Sequence, residues 1–580
     1  MFIRNIKINN FRCFKPTSPT INFRTPDGTN PGSGLNILVG ENATGKTTLL
    51  EAINYLTESA FAVQNKLSVF DFHDNSNEII IFSDTDKFTY KMPDIYRDQS
   101  FDCNGISFKA TLRQNKSPGK FFSTPIQASW SVNNVDKYYK NKVGKQGNKK
   151  IDEYHKLFDT DRLAKDEEFN IFYFDKFRTR HIIKRETYKT TFQKIIDDLN
   201  WKFHKSIRDN DSKKIILEGL VEEYFPKILE EAEKGISSKL SKATKEFFDQ
   251  EKLQHIKIDF INIWWPFSDG FFALREDSSL NQIPVNKLGS GVEMIFTILL
   301  LRSIYEKEKG SIIYLIDEPE LSLHPQAQNR LFDLLVEESK NKQVILSTHS
   351  PFFTSPNYIE SIIKFSEHDT DGITTYRLEN ATLANKVKEN RNFFFRHRAL
   401  FFAKRAIFIE GVDDYERYQK YLDAKGIENL YEHFYIMGGA DHTIFYEAIC
   451  RALGIMSCAI VDKDFAVQRS KWARGNRQRF ISDIKKFIKD NGIDFNLEDF
   501  EKAMEKELIE KPRKGEREVQ EIEVNGTKLW KVKDTNIFVL QQGEVKDYLT
   551  KNGVLVTELK EQKERELYTI FRKIKDILQI

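Results

Sequence analysis

The feature that most constrains this chain is the octapeptide Gly40-Glu41-Asn42-Ala43-Thr44-Gly45-Lys46-Thr47, set directly behind the apolar run Leu35-Asn36-Ile37-Leu38-Val39. Glycines at its fixed positions let the backbone curl until several N–H groups point at one anion. A helix is expected from about Lys46, with Leu49, Leu50, Ile53 and Leu56 on one face, and its positive end faces the same anion. Lys46 brings charge to the terminal phosphates and Thr47 brings a hydroxyl to magnesium; Asn42, Gly45 and Thr48 complete the expected nucleotide contacts. A strand, a phosphate-cradling turn and a helix in this order commit the chain to an α/β fold, with ATP and Mg2+ (or Mn2+) as expected cofactors.

The partners of this loop stand far down the chain. Ile312-Ile313-Tyr314-Leu315-Ile316 is a continuous apolar run, as a strand buried on both faces requires, and it ends in Asp317-Glu318. There Asp317 can reach the magnesium shell, while Glu318 can orient or deprotonate the attacking water. An acidic strand end is by itself a common turn, but Pro319-Glu320-Leu321-Ser322-Leu323-His324-Pro325 continues it as a motif. A further strand, Val344-Ile345-Leu346-Ser347, leads into Thr348-His349-Ser350-Pro351, where His349 is a candidate contact to the terminal phosphate. Between loop and acids lies Leu288-Gly289-Ser290-Gly291-Val292-Glu293.

These segments together resemble ABC-type ATPases, and Asn42 within the loop resembles the SMC/RecF-like branch. The resemblance implies that Ser290 and Gly291 cap ATP held by a second protomer, so that nucleotide joins two heads and hydrolysis loosens them. Gly289 stands where a serine is common in that family. The expected organisation is an ABC-type ATPase head in two parts, 1–180 and 281–395, around a helical insertion at 181–280 that serves as a dimerisation arm. Residues 185–252 are dense in mixed charge and poor in Gly and Pro, which reads as a solvated helical arm. Asn141 to Lys150 reads as a loop.

A second α/β unit, 396–580, carries its own acids. Glu410-Gly411 follows the apolar run Ala406-Ile407-Phe408-Ile409, and Asp414 stands one helical turn beyond. Asp462-Lys463-Asp464 follows Cys458-Ala459-Ile460-Val461. If the two runs are neighbouring parallel strands, these acids converge at the carboxyl edge of one sheet, where hard oxygen ligands suit magnesium or manganese. Each pattern alone is weak; their order and setting carry the argument. They resemble the Toprim pattern, and ATPase followed by Toprim in one chain resembles the OLD family of ATP-dependent endonucleases across nearly all the sequence. That resemblance implies a parallel-sheet nuclease domain in which Glu410, Asp414, Asp462 and Asp464 are metal ligands or their supports. Glu410 is then the bridging or general-base candidate. Gly438-Gly439 resembles the family's glycine turn, and Gln542 to Leu549 its late acidic segment, with Glu544 as a further ligand and Lys546 facing the scissile phosphate.

Composition limits the partners. A net charge of +3 over 580 residues does not announce nucleic acid, so a DNA-binding surface must come from local clustering. Arg469-Ser470-Lys471-Trp472-Ala473-Arg474-Gly475-Asn476-Arg477-Gln478-Arg479 reads either as a solvated surface or as a phosphate clamp with Trp472 for stacking. Residues 466–535 are highly charged and read as an insertion. The four cysteines show no metal-ligand spacing, and no apolar run suits a membrane span or a secretion signal, so the chain is expected to be cytoplasmic with no membrane partner.

The expected function is an ATP-binding and hydrolysing, metal-dependent DNA endonuclease in bacterial antiphage defence, acting as a homodimer or higher homo-oligomer. OLD-like proteins act alone, with a helicase as in Gabija, or as effectors of retrons beside a reverse transcriptase and its DNA. The alternative is an ATP-driven DNA clamp or sensor whose Toprim domain is not catalytic.

Overall fold

The computed structural model describes residues 2–56, 67–73, 76–91, 100–112, 126–132, 169–175, 256–259, 271–275, 282–284, 290–305, 311–321, 323–368, 372–427, 430–439, 443–468, 511–512, 518–557 and 559–579. The chain divides into two compact units, Met1–Arg377 and Leu378–Ile580. The expected arm at 185–252, the loop at 141–150 and the basic run 469–479 lie outside the described residues.

In the first unit, six strands form one sheet in the order Gly372–Arg377, Ile362–His368, Leu35–Gly40, Gln343–Ser347, Ser311–Asp317, Phe169–Phe174. All neighbours are parallel except the hairpin of Ile362–His368 with Gly372–Arg377. Leu35–Gly40 and Gln343–Ser347 are buried at every position, which is why their apolar residues run together rather than alternate, with the polar Asn36, Gln343 and Ser347 each held by hydrogen bonds. A strand therefore separates the phosphate-loop strand from the one bearing Asp317. The register Leu38↔Ser347↔Asp317 brings their carboxyl ends to one rim.

A second, antiparallel sheet in the order Ile21–Asn22, Asn5–Asn9, Glu78–Lys91, Ser100–Leu112, Ile126–Val132 covers the helix Lys46–Tyr55 from the other side. One apolar core joins all three layers. It contains Ile6, Ile81 and Phe108 from the antiparallel sheet, Leu49 and Ile53 from the helix, and Leu38, Leu315 and Ile345 from the parallel sheet. Further along, Ile256–Asp259, Phe271–Arg275 and Gln282–Pro284 form a small antiparallel sheet.

Two buried amides tie the N-terminal segment to the parallel sheet. Gln343 Oε1 accepts from the Ile3 N–H at 2.9 Å, and its Nε2 donates to the carbonyls of Ile3 at 2.7 Å and Arg24 at 3.0 Å. One strand away, Asn36 Oδ1 accepts from the Arg24 N–H at 2.7 Å and its Nδ2 donates to the Arg24 carbonyl at 3.0 Å. Both side chains are fully buried, where an unpaired backbone group would be costly.

The second unit is built on a sheet in the order Phe434–Ile436, Arg405–Ile409, Met456–Val461, Ile537–Val539, Thr527–Val532, Val519–Val524. The first four strands are parallel and the last two antiparallel. The period-two alternation of Arg405–Ile409 sends Ile407 and Ile409 into a core with the helices Val412–Ala424 and Lys560–Leu578, through Tyr418, Tyr421, Ile570 and Phe571. Phe408 turns to the opposite face, where Tyr446 of the helix Thr443–Ala452 stacks on Phe393 at 4.0 Å. The hairpin 519–532 belongs to this sheet, although charge alone places 466–535 in an insertion. Its residues Val519, Ile522 and Val524 interleave with Gln and Glu as an edge strand does, so the charge marks a half-exposed strand.

The four cysteines are thiols, and Cys103, Cys450 and Cys458 are buried. Among the described residues no helix is long and apolar enough to cross a membrane.

Gln343→Leu keeps the volume of the tie but leaves the Ile3 N–H and carbonyl unpaired, while the Arg24 carbonyl keeps its bond from Asn36. It is expected to destabilise the first unit by about 2–4 kcal/mol, read as a lower denaturant midpoint of the nucleotide-free protein. A midpoint within error of the wild type would show that water replaces these bonds.

Candidate functional site

The loop after Leu35–Gly40 takes positive φ at Gly40 (145°), Ala43 (63°) and Gly45 (90°). The two glycines are obligatory for close approach as well as for conformation. A Cβ at Gly40 would collide with the Phe365 carbonyl, and one at Gly45 would stand 2.9 Å from Cys13 Sγ. The helix Lys46–Tyr55 starts directly from Gly45 without a side-chain cap, so its first N–H groups are left to an anion. Lys46 is buried and donates from Nζ to the carbonyls of Gly40 at 3.0 Å and Glu41 at 2.6 Å, inside the curl of its own loop. Asn42 lies exposed on the loop, and Thr48 is buried on the first helical turn.

Thr47 Oγ1 donates to the Asp317 carboxylate, 3.1 Å from each oxygen. Ser347 Oγ, from the intervening strand, donates to Asp317 Oδ1. A threonine hydroxyl and a buried carboxylate on adjoining elements form a hard oxygen pair that fits a magnesium shell. Glu318 leaves the strand in the left-handed region, φ 49°, with its N–H donating to the Ser347 carbonyl at 3.0 Å. A non-glycine residue held there costs about 1 kcal/mol.

His349 is exposed, and its place is fixed through its backbone. The Glu320 carboxylate accepts from the His349 N–H at 2.6 Å and from Thr348 Oγ1 at 2.9 Å. Burial pushes the Glu320 carboxyl upward, while these two donors hold it down. Ser350 Oγ donates to buried Gln328 at 2.6 Å, closing the link between the two motifs. Sequence reasoning passed over Ser347, Glu320 and Gln328 as residues with roles; the first is the last residue of its strand, in register with Asp317, and the other two lie inside or beside motifs assigned to neighbours. Ser290 and Gly291 open the helix Ser290–Tyr305.

The second unit gathers its acids at the carboxyl ends of three parallel strands. Glu410 follows Arg405–Ile409, and its Oε1 accepts from the Asp462 N–H at 2.9 Å at the end of Met456–Val461. The two strand ends therefore share one rim. Asp462 Oδ1 in turn accepts from the Val545 N–H at 3.1 Å, which fixes the segment carrying Glu544. Asp414 Oδ2 accepts from the Gly411 N–H at 2.8 Å and closes the first turn of Val412–Ala424. Asp464 lies on the first turn of the short helix Lys463–Ala466, two residues beyond Asp462.

The electrostatics bind these groups into one cluster. Burial, followed by the charges of Glu410, Asp414 and Glu544, pushes Asp462 up to about 8, against the N–H of Val545. Asp414 is raised mainly by burial, with Asp413 and Glu544 adding to it and Arg417 opposing. The Tyr418 hydroxyl lies fully buried beneath, without a hydrogen-bond partner, raised by burial and by Asp414, Asp462 and Glu410. Mutual repulsion of this kind is what a divalent cation relieves, and carboxylates are the donors Mg2+ and Mn2+ prefer. The donor set thus fits such an ion. The coordination shell is not preformed: among the described residues no three His, Cys, Asp or Glu side chains stand in ligating geometry, and Glu410, Asp414 and Asp462 are each engaged by a backbone N–H.

Lys546 is exposed and pairs with Glu544 at 2.7 Å, so the two residues assigned to ligand and phosphate roles hold each other. No local pattern signals the device that sets this segment. Buried Glu566, from the helix Lys560–Leu578, accepts from Tyr548 Oη at 2.9 Å and from the Gln541 N–H at 2.9 Å. Tyr548 Oη itself accepts from the Gln542 N–H at 2.7 Å. Gly543 (φ 121°) then turns the chain into Glu544.

Known proteins share both halves. Residues 1–354 match the AAA ATPase domain family, and residues 401–464 match the TOPRIM domain of overcoming lysogenization defect protein-like proteins. The endonuclease GajA of Bacillus cereus is 24% identical over 497 residues, 81% of this chain and 76% of its own length. The OLD nuclease of Thermus scotoductus is 27% identical over 226 residues, 37% of this chain and 42% of its own length. The Old nuclease of Escherichia phage P2 is 29% identical over 126 residues, 20% of each chain. Among solved structures, the SMC head domain from Thermotoga maritima covers 65% of this chain and 100% of its own at 11% identity, with a TM-score of 0.30. The phosphate loop, the Asp317 rim and the acids from Glu410 to Asp464 thus fall within matched families, and the chain belongs to the AAA ATPase domain family, with an OLD-like TOPRIM domain behind it.

Proposed function

We propose that this protein is an ATP-binding and hydrolysing, metal-dependent DNA endonuclease of bacterial antiphage defence. The observation that carries the nuclease reading is the hydrogen bond from the Asp462 N–H to Glu410, which sets two carboxylates on one sheet rim. Glu544 and Asp414 raise the charge density there, and burial together with these charges elevates the Asp462 carboxyl, as a cluster that would take up a cation requires. Glu410, Asp462 and Glu544 would hold Mg2+ or Mn2+, with Asp414 and Asp464 supporting them. Such an ion, when bound, supplies a nucleophile at neutral pH and stabilises charge on a phosphodiester. Glu410 is suited to accept a proton from the attacking water, and Lys546 to face the scissile phosphate once Glu544 is engaged elsewhere. The defence role is supported by the likeness to GajA and the OLD nucleases.

In the first unit, Asn42, Gly45, Lys46, Thr47 and Thr48 would hold ATP, with Asp317 beside its magnesium ion. Glu318 orients or deprotonates water, and His349 contacts the terminal phosphate. Ser290 and Gly291 are suited to cap the nucleotide of a second copy, so the protein acts as a homodimer or larger homo-oligomer. A helicase, or a retron reverse transcriptase with its DNA, is a further partner class.

Three outcomes test this. Lys46→Ala removes charge-assisted bonds to phosphate and is expected to weaken ATP binding about 10–100-fold in equilibrium titration. Glu318→Gln should bind ATP normally and turn it over at least about a hundredfold more slowly; wild-type turnover would remove Glu318 from its role. Asp462→Ala should cut supercoiled plasmid in Mg2+ or Mn2+ at least about a hundredfold more slowly, and chelation should stop the wild type. If wild type and Asp462→Ala behave alike, the C-terminal unit grips DNA without cutting it, and the protein is an ATP-driven clamp or sensor.

A further inference from the structure

The second unit carries a basic segment in front of its acid rim that no motif assigns. Lys386 stands in the last turn of the helix Ala381–Glu389, Arg391 and Arg396 bound the helix Arg391–Arg396, and Arg398 and Lys404 follow within one short turn and its exit. Among the described residues none of these five cations forms an ion pair, although cations elsewhere in the unit do, as Arg451 does with Glu447 and Lys528 with Glu521. Lys386, Arg391, Arg396 and Lys404 are exposed. The Arg398 guanidinium lies 4.8 Å from the centre of the Phe395 ring, a phenylalanine left 38% exposed. Burial alone pulls Arg398 below its ordinary range, since no carboxylate offsets it.

The segment is anchored beside the rim. His397 Nε2 meets the Ile436 carbonyl at 2.9 Å, and Phe393 stacks on Tyr446. Two residues after Ile436, the Gly438 N–H donates to the Glu410 carbonyl at 2.9 Å. Gly438 and Gly439 take positive φ, and a Cβ on either would meet nothing within 4 Å, so this turn is open. A short path thus runs from Arg396 and Arg398, which flank His397, past the end of the edge strand Phe434–Ile436, to Glu410.

We propose that Lys386, Arg391, Arg396 and Arg398 form a seat for the phosphate backbone of duplex DNA; Lys404, whose carbonyl accepts from the Met456 N–H at the amino end of the parallel strands, stands at the opposite edge of the sheet and takes no part. The proposal rests on the nuclease reading for its choice of ligand. An acid rim repels a phosphodiester until cations beside it hold the strand. Surface cations outside ion pairs release the DNA's counterions on contact, and guanidinium forks match phosphate oxygens two at a time. Stacking on Phe395 fixes the Arg398 fork without neutralising it. Such contacts position DNA without reading its sequence.

The test is fluorescence anisotropy of the full-length protein on a labelled duplex, in chelator and at several salt concentrations, so that cleavage does not enter. Arg391→Ala/Arg396→Ala/Arg398→Ala should bind at least about tenfold more weakly at low salt, and the slope of log affinity against log salt should fall by about one for each phosphate that is no longer neutralised. The corresponding triple lysine variant should keep most of the slope. Arg391→Glu, at an exposed position where folding is not at stake, should weaken binding in the same direction. A wild-type slope in both the triple alanine variant and Arg391→Glu overturns the proposal. So does a weaker affinity at unchanged slope, or a stronger, equally salt-dependent hold on single-stranded RNA than on duplex. A protein that shows these slope changes yet leaves plasmid uncut loses the nuclease reading and keeps the seat; one that cuts plasmid without them loses the seat alone.

Discussion

Parallel strand pairing is the constraint on which both units depend. Parallel neighbours cannot be joined by a tight turn, so each return crosses over the sheet and the carboxyl ends of successive strands collect at one edge. In the first unit this brings Thr47 within 3.1 Å of Asp317 across 270 residues of chain. In the second it brings the Asp462 N–H within 2.9 Å of Glu410 across 52 residues, and Val545 within 3.1 Å of Asp462 across a further 83. The continuously apolar strands, buried on both faces, hold these rims rigid. Asp317, Glu410 and Asp462 each stand just beyond the last apolar residue of their strand.

The two rims treat buried charge differently. Asp317 is fully buried but takes two hydroxyl donors, from Thr47 and Ser347. Glu320 is likewise held by a backbone N–H and a hydroxyl. The first rim is therefore a largely satisfied network whose parts fix one another. The second is frustrated: Asp462 takes one backbone donor while three other carboxylates bear on it, and the Tyr418 hydroxyl beneath has no partner. A protein keeps such repulsion where a ligand of opposite sign removes it. The backbone bonds that now engage these carboxylates define what a cation must compete with. They also explain how the fold keeps the acids together before any ion arrives.

Supporting bonds reach each rim from distant sequence. Glu566, on the C-terminal helix, receives both Tyr548 and the Gln541 N–H, so the segment bearing Glu544 is set by a buried carboxylate with no direct part in the rim. Gln343 and Asn36 do the same for the N-terminal strands that cover the phosphate-loop helix. In each case a polar side chain is buried only where its bonding capacity is met, which fixes one arrangement of the neighbouring backbone.

Local patterns alone determined much of this protein. The glycines and Lys46 of the phosphate loop, the apolar strands ending in Asp317, Glu410 and Asp462, and the helices through Leu49 and Tyr418 are legible because glycine geometry and hydrophobic period act over a few residues. The strand 519–524 was obscured because an edge strand carries charge on its exposed face. Long-range pairing decided the rest. Only the register of the sheets made Ser347 a partner of Asp317, joined Glu320 to His349, and put Asp462 under the field of Glu410, Asp414 and Glu544. Only the helix packing placed Glu566 beneath the last acidic segment. Such contacts depend on which crossover lands beside which strand, and no short stretch of sequence carries that information.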